Sequence, residues 1–234
     1  MTAILFFIEG DTLNAVSKTI SKIGQLYNVE SFIQADFAKG YKYVDKAGEL
    51  VNSYYIGDQE PRFSMTMAQL QIKPLDGVTE EVKISPKAFW SHYQLPNSLD
   101  QIGTSFAKDA EKALKILEVE TVKRVGWRNY FIYEFGNDQE AEREEIVGKF
   151  ALDTGLIFEN MMFKTINGDN KFNITLAKAS KKSENPKPAI LIDIDIYQEG
   201  LSINPKDISK KMENFRKELQ GDFVLNFVNS ILKK

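Results

Sequence analysis

No cysteine occurs among the 234 residues, which removes disulfides, thiolate catalysis and cysteine-based zinc or iron–sulfur sites together. Histidine is almost as scarce. His92 stands alone, so a Ser-His-Asp triad or a multi-histidine metal site would have to be built around it. Its setting, Phe89-Trp90-Ser91-His92-Tyr93, reads as the aromatic first turns of a helix, where packing or capping is the expected role. A glycine-rich phosphate loop is also missing: Gly136-Asn137-Asp138 lacks the further glycines and the lysine, which excludes a P-loop nucleotide hydrolase. Charge of one sign is not in excess. With a formal net charge of −3 the chain has no global field for a polyanion, so nucleic-acid binding would depend on a local patch. Long hydrophobic runs are absent. Met1 to Ile8 are apolar, but they lack a basic leader and a cleavage site, and Glu9 interrupts them far short of a membrane span. The expectation is a first strand, Ala3 to Ile8, in a cytoplasmic protein without a membrane partner.

What is present is a globular composition, 43% hydrophobic and 27% charged, with 16 Phe and 9 Tyr to favour strands. The chain also says one thing twice. Ile84-Ser85-Pro86-Lys87 returns as Ile203-Asn204-Pro205-Lys206, and Phe63-Ser64-Met65-Thr66-Met67-Ala68 returns as Phe172-Asn173-Ile174-Thr175-Leu176-Ala177. Each half is expected to follow one plan. A strand (Ala3 to Ile8; Val122 to Phe135) leads to a helix (Leu13, Val16, Ile20, Ile23, Leu26; Ile146, Val147, Phe150) and then to further strands. Ser85 or Asn204 then serves as N-cap and Pro86 or Pro205 as first helical residue of a closing helix. Residues 39–57 of the first half form an insertion whose tyrosines, around a Lys46-Ala47-Gly48 turn, predict a hairpin.

The expected fold is therefore α+β, with pseudo-duplicated β-α-β-β(-β)-α halves, 1–119 and 120–234, forming one pseudo-symmetric unit of antiparallel sheets, each packed by a long helix. Ile208, Met212, Phe215, Leu219, Phe223, Phe227 and Ile231 give the last helix its apolar stripe, and Gly221 is placed to bend it. Duplication also predicts a seam between halves, where ligands and partners often sit.

Two strands carry the candidate site residues. On Val122–Phe135, Arg124, Gly126, Arg128, Tyr130 and Glu134 fall on one face and Val125, Trp127, Phe131 and Tyr133 on the other. Two arginines either side of a glycine, with a tyrosine beyond, suit a phosphate or carboxylate and a stacked base or peptide group. On Ala189–Gln198, Ile190, Ile192, Ile194 and Ile196 point inward and leave Asp193, Asp195 and Tyr197 opposite. Adjacent carboxylates suit a divalent cation, yet no third acidic or histidine ligand follows from the spacing. If the strands share a sheet, Asp193 and Asp195 facing Arg124 and Arg128 would form a structural ladder instead. A loop bearing Lys178, Lys181, Lys182 and Lys187 is a further basic feature with a solvated surface as its simpler reading.

The run Arg124-Val125-Gly126-Trp127-Arg128-Asn129-Tyr130, with Leu191-Ile192-Asp193-Ile194-Asp195 and a closing helix containing Phe223, resembles a sporadically distributed family of uncharacterised bacterial and archaeal proteins. Its mark is a strand reading Arg-x-Gly-Leu-Arg-Tyr-x-Asn. Arg124, Gly126 and Arg128 match it; Trp127 replaces the leucine, Asn129 stands before Tyr130, and Phe131 takes the place of the asparagine. The resemblance implies a similar length and an α+β design, with no activity to transfer. Architecturally, a strand-helix-strands-helix unit with a long last helix is similar to helix-grip and TATA-binding-protein-like folds, which supply no function by themselves.

The leading functional expectation is a non-enzymatic binding or protein-interaction module without a cofactor. A protein partner or an anionic small molecule would be held at the sheet face of Arg124, Arg128, Tyr130, Asp193 and Asp195, or at the seam. The alternatives are a metal-assisted phosphoester hydrolase using Asp193 and Asp195, and a nucleic-acid or nucleotide binder working through Arg124, Arg128, Tyr130 and the lysine loop. Exposed edges on an aromatic-rich sheet also point to homo-oligomerisation.

Overall fold

The computed structural model describes residues 25–37, 42–93, 99–134, 160–180, 188–203 and 205–232. The expected strand Ala3 to Ile8, the helices begun by Leu13 and around Ile146, Asn204, and the lysines Lys181, Lys182 and Lys187 lie outside the described residues. Among the described residues no helix is long and apolar enough to cross a membrane.

Alternating apolar and polar residues produce most of the described structure. The strands are β1 (Gln25–Gln34), β2 (Arg62–Met65), β3 (Leu70–Lys73), β4 (Thr79–Ile84), β5 (Ala88–Tyr93), β6 (Val122–Glu134), β7 (Asn160–Asn167), β8 (Asn170–Ser180) and β9 (Pro188–Ile203). The helices are α1 (Lys42–Asp45), α2 (Ala47–Asn52), α3 (Leu99–Ile116), α4 (Ile208–Gln220) and α5 (Asp222–Leu232), with a short 3₁₀ turn Pro205–Asp207. All the strands join one antiparallel nine-stranded sheet in the order β2-β3-β4-β5-β1-β6-β9-β8-β7.

That sheet overturns the expected pair of duplicated, helix-gripped halves. The repeated phrases take different structures. Ser85-Pro86-Lys87 is a tight turn between β4 and β5, where Ala88 N donates to Ser85 Oγ (3.1 Å) and Ser85 N to Ala88 O (2.8 Å). Pro205-Lys206 opens the 3₁₀ turn before α4. Ser-Pro is a helix-start signal only where the next residues can be helical, and Ala88–Tyr93 are claimed on both sides: β4 pairs with them at Val82 and Ile84, β1 at Ser31 and Ile33. Phe63–Met65 lie on a strand whose residues are all exposed, whereas Phe172, Ile174 and Leu176 in β8 are buried.

The expected hairpin over 39–57 is likewise replaced, by α1 and α2 in its described part. Tyr43, Leu50, Val51 and Tyr54 are buried, and their separations of three, four and seven residues make a helical stripe. Leu26 belongs to β1 rather than to a preceding helix. The last helical segment does break at Gly221, where α4 gives way to α5.

By internal contacts the chain divides into two compact units. One takes the described residues of Met1–Tyr27, Asn129–Asp195 and Lys217–Lys234; the other takes those of Asn28–Arg128 and Ile196–Arg216. In the first unit α5 packs on β7 and β8, with Phe223 against Phe172 (ring centroids 5.2 Å apart) and Phe227 edge-on to Phe163 (5.6 Å). In the second unit α3 lies on the apolar sheet face. Phe106 meets Phe89 (5.9 Å), and Gly103 admits the Trp127 ring, with Met212 of α4 beside it.

Candidate functional site

The second unit's sheet has one apolar face and one polar face. Successive side chains of a strand point to opposite sides, so when Ser31, Ile33, Phe89, Ser91, Val125 and Trp127 turn to the helices, the intervening residues are left on the other side. That polar face carries Glu81 and Lys83 from β4, Trp90 and His92 from β5, Glu30 and Phe32 from β1, and Arg124, Gly126 and Arg128 from β6. Apart from buried Phe32 and Gly126, these residues are half-buried.

Cross-strand register organises them into two rows. Glu30 stands opposite His92, and His92 Nδ1 lies 3.3 Å from Glu30 Oε1. His92 is thus on a strand and not on the expected helix. Lys83 Nζ reaches Glu81 Oε2 at 2.6 Å, and Gln71 donates to the same carboxylate. Burial pushes the Glu81 carboxyl up, but the hydrogen bonds from Lys83 and Gln71 and the charges of Lys83 and His92 outweigh it and hold the group below its ordinary range.

The second row is a stack. Trp90 and Phe32, opposite each other on β5 and β1, have ring centroids 4.9 Å apart. The Arg124 guanidinium carbon lies 4.9 Å from the Phe32 centroid and 3.7 Å from that of Tyr197 on β9, both within cation–π range. Gly126 makes room for this arrangement: a Cβ there would run into the edge of the Phe32 ring and lie 3.0 Å from Ile196 O. The Arg124 guanidinium is therefore within cation–π reach of both rings, and Gly126 permits the approach of Phe32.

The other sequence candidates have separate surroundings. Arg128 is half-buried two residues beyond Gly126, in the second unit. Tyr130, Asp193 and Asp195 belong to the first unit. Tyr130 is half-buried on β6; Asp193 is buried on β9 at 7% exposure; and Asp195 accepts a hydrogen bond from Asn173 Nδ2 at 3.1 Å. Among the described residues no group of three or more Asp, Glu or His is placed to hold a metal ion.

A second polar cluster escaped the sequence reading. Asp109 lies on α3, one turn beyond Phe106 and one turn before Ala113, on the helix's buried side, and is 4% exposed. Its Oδ1 is 3.8 Å from Lys112 Nζ, which donates to Ser53 O (3.2 Å) and sits 5.2 Å from the centre of the Tyr54 ring. Burial pushes the Asp109 carboxyl up to about 6, the nearby Lys112 charge opposing the shift and the Asp76 charge adding to it. Tyr54 and Tyr93 are pushed well up, first by burial and then by the Asp109 charge; Ser31 and Ser91 hydroxyls beside Tyr93 pull that group part-way back. Among the described residues none of Asp109 Oδ2, Tyr54 OH, Tyr93 OH, Ser31 Oγ and Ser91 Oγ makes a hydrogen bond of ordinary geometry. The signal for the cluster was a carboxylate on the apolar stripe of an amphipathic helix.

Neither a known family model nor a curated protein matches the chain.

Proposed function

We propose that this chain is a non-enzymatic binding module of the cytoplasm, and that its working surface is the polar sheet face around Arg124. The observation that supports the reading is the clamping of the Arg124 guanidinium between Phe32 and Tyr197. Arginine carries roughly 2 kcal/mol of rotamer entropy, which a binding event ordinarily has to remove. A guanidinium already fixed by two rings has lost most of that freedom on folding, so the positive charge it brings to this face is preorganised for an anion. The chemistry it suits is a carboxylate or phosphate group, on a small molecule or on the surface of a protein partner. The Arg-x-Gly-x-Arg element that carries the family resemblance is the same element that builds the stack.

Trp90 and Tyr197 add half-buried aromatic surface of the kind that anchors partners. Homo-oligomerisation belongs to the same reading. The hydrolase alternative gains no third ligand for Asp193 and Asp195 among the described residues. Of the nucleic-acid alternative's lysine loop, Lys178 lies on β8, and Lys181, Lys182 and Lys187 lie outside the described residues.

Calorimetric titration of the purified chain with inorganic phosphate, citrate and an acidic glutamate-rich peptide tests the proposal. Saturable binding of at least one probe, weakened tenfold or more by Arg124→Gln, is the expected result. Equal binding by the variant removes Arg124 from the account.

A further inference from the structure

We propose that the β2 edge of the second unit is a homodimer interface, in which two copies of the chain pair their β2 strands antiparallel about Ser64. This deepens the oligomer part of the reading above and is independent of the Arg124 face.

The apolar layer of the second unit ends at a bare edge. Following one row across the sheet, Ile33, Phe89, Ile84 and Leu70 are fully buried in register, and Met65, opposite Leu70, is 38% exposed. In the next row Val82 and Ile72 are fully buried, and Phe63, opposite Ile72, is 52% exposed. Cross-strand neighbours share a face, so Phe63 and Met65 continue the core face past its buried rows. Of the exposed large hydrophobics among the described residues, Tyr55, Ile56, Phe63, Met65, Met67 and Leu75 fall within one stretch of the chain, and the others, Met162 and Ile166, lie on β7 of the first unit.

The edge also has an open side for hydrogen bonding. Among the described residues β2 pairs with β3 alone. Natural sheets guard such edges with lysine, proline, bulges or a covering loop. From Arg62 to Met67 the only charge is Arg62, at the end, and no proline interrupts the strand. Tyr43 OH donates to Met67 O and Thr66 N to Gln69 O, which ties the far end of the edge to α1 and to its own turn.

A second copy is the occupant this edge fits, because the strand is complementary to itself. Antiparallel pairing about Ser64 sets Ser64 opposite Ser64 of the second copy, Phe63 opposite Met65 of the second copy, and Met65 opposite Phe63 of the second copy. Arg62 falls opposite Thr66. Each apolar side chain then meets an apolar one, with sulfur against an aromatic ring twice over, and no like charges meet. The contact is isologous and closes after two copies, so it consumes the edge without starting a filament.

The cysteine-free chain allows a direct test. Sedimentation equilibrium from micromolar to several hundred micromolar should show the mass rising from 26.7 kDa toward that of a dimer. The double variant Phe63→Lys/Met65→Lys should stay monomeric with an unchanged circular-dichroism spectrum, since both side chains are exposed. In Ser64→Cys the sole thiol lies on the two-fold axis. Directly opposed Cβ atoms about 5 Å apart approach disulfide geometry, so mild oxidation should trap a covalent dimer, whereas Glu111→Cys on exposed α3 surface should not. A monomer at every concentration, self-association that survives the double lysine variant, or equal cross-linking at both cysteine positions would each overturn the interface. Arg124→Gln should leave dimerisation unchanged, so failure of the binding-face proposal and failure of this one are read separately.

Discussion

Phe32 lies over Gly126 so closely that the glycine's missing Cβ is the space the ring occupies. The two residues come from adjacent strands, and their fit brings Phe32 to within cation–π distance of Arg124. Gly126→Ala should therefore destabilise the chain by about 3 kcal/mol, the upper part of the range for overpacking a close contact. Urea denaturation measures it. Phe32→Leu should recover part of that loss in the double variant, because the smaller side chain frees the space; strictly additive losses would mean that the two residues do not meet.

Arg124→Lys should not substitute for arginine. An ammonium has no flat face to set between Phe32 and Tyr197, so the variant should lose about 1 kcal/mol of stability and show altered Trp90 fluorescence, because Trp90 stacks on the same Phe32 ring. Trp127, fully buried on the opposite sheet face, contributes an unchanged background.

Asp109 gives the chain a pH dependence of definite sign. Its carboxyl is raised from 3.8 to about 6 in the folded chain, so the folded state holds this proton more tightly than the unfolded one. The penalty for a buried charge is absent below about pH 4, grows between 4 and 6, and is complete above 6, where it reaches about 3 kcal/mol. Asp109→Asn should stabilise the chain at pH 7.5 by an amount approaching that figure and make no comparable difference at pH 4. Denaturant midpoints of the two proteins at both pH values check this; a constant difference across the range would refute it. Burial sets the shift, with Lys112 and Lys108 on α3 opposing it and Asp76 before β4 adding to it.

Asp76 holds the turn between β3 and β4. Its Oδ1 accepts from Val78 N (2.9 Å) and Thr79 N (2.8 Å), its Oδ2 accepts from Thr79 Oγ1 (3.0 Å), and Gly77 has φ +71°. Asp76→Ala should cost about 1–2 kcal/mol from the lost hydrogen bonds. Gly77→Ala should cost about 1 kcal/mol from the left-handed backbone. Thermal unfolding of each variant reads both effects.

The strands with the strongest alternation, β6 and β9, could be read from the chain because each pattern lies within one segment. The stripe of α4 and the break at Gly221 were legible for the same reason, but beyond the break Val224, Leu225 and Val228 are buried while Phe223 and Phe227 are half-buried. Ala88–Tyr93 were not, because Ser85-Pro86 mimics a helix start and only pairing on both sides decides for strand. Residues 42–52 were misread because tyrosines suit strands, although Tyr43, Leu50, Val51 and Tyr54 keep helical spacing. The alternation that sets Arg124 beside Gly126 was visible, but Phe32 and Tyr197 join them only through register between distant strands, which no single segment encodes. Asp109 was visible in principle, as a charge on an apolar helical stripe.

The binding role of the Arg124 face is tested most directly by nitrogen-15 NMR of the arginine side chains during titration with inorganic phosphate and with an acidic glutamate-rich peptide. Clamped between two rings, the Arg124 Nε–H should give a resolved, ring-shifted signal. The account predicts that this signal moves saturably with at least one probe, together with backbone signals of Tyr197 and Trp90, and that it is missing from Arg124→Gln. A signal that stays fixed through millimolar concentrations of both probes would contradict the account.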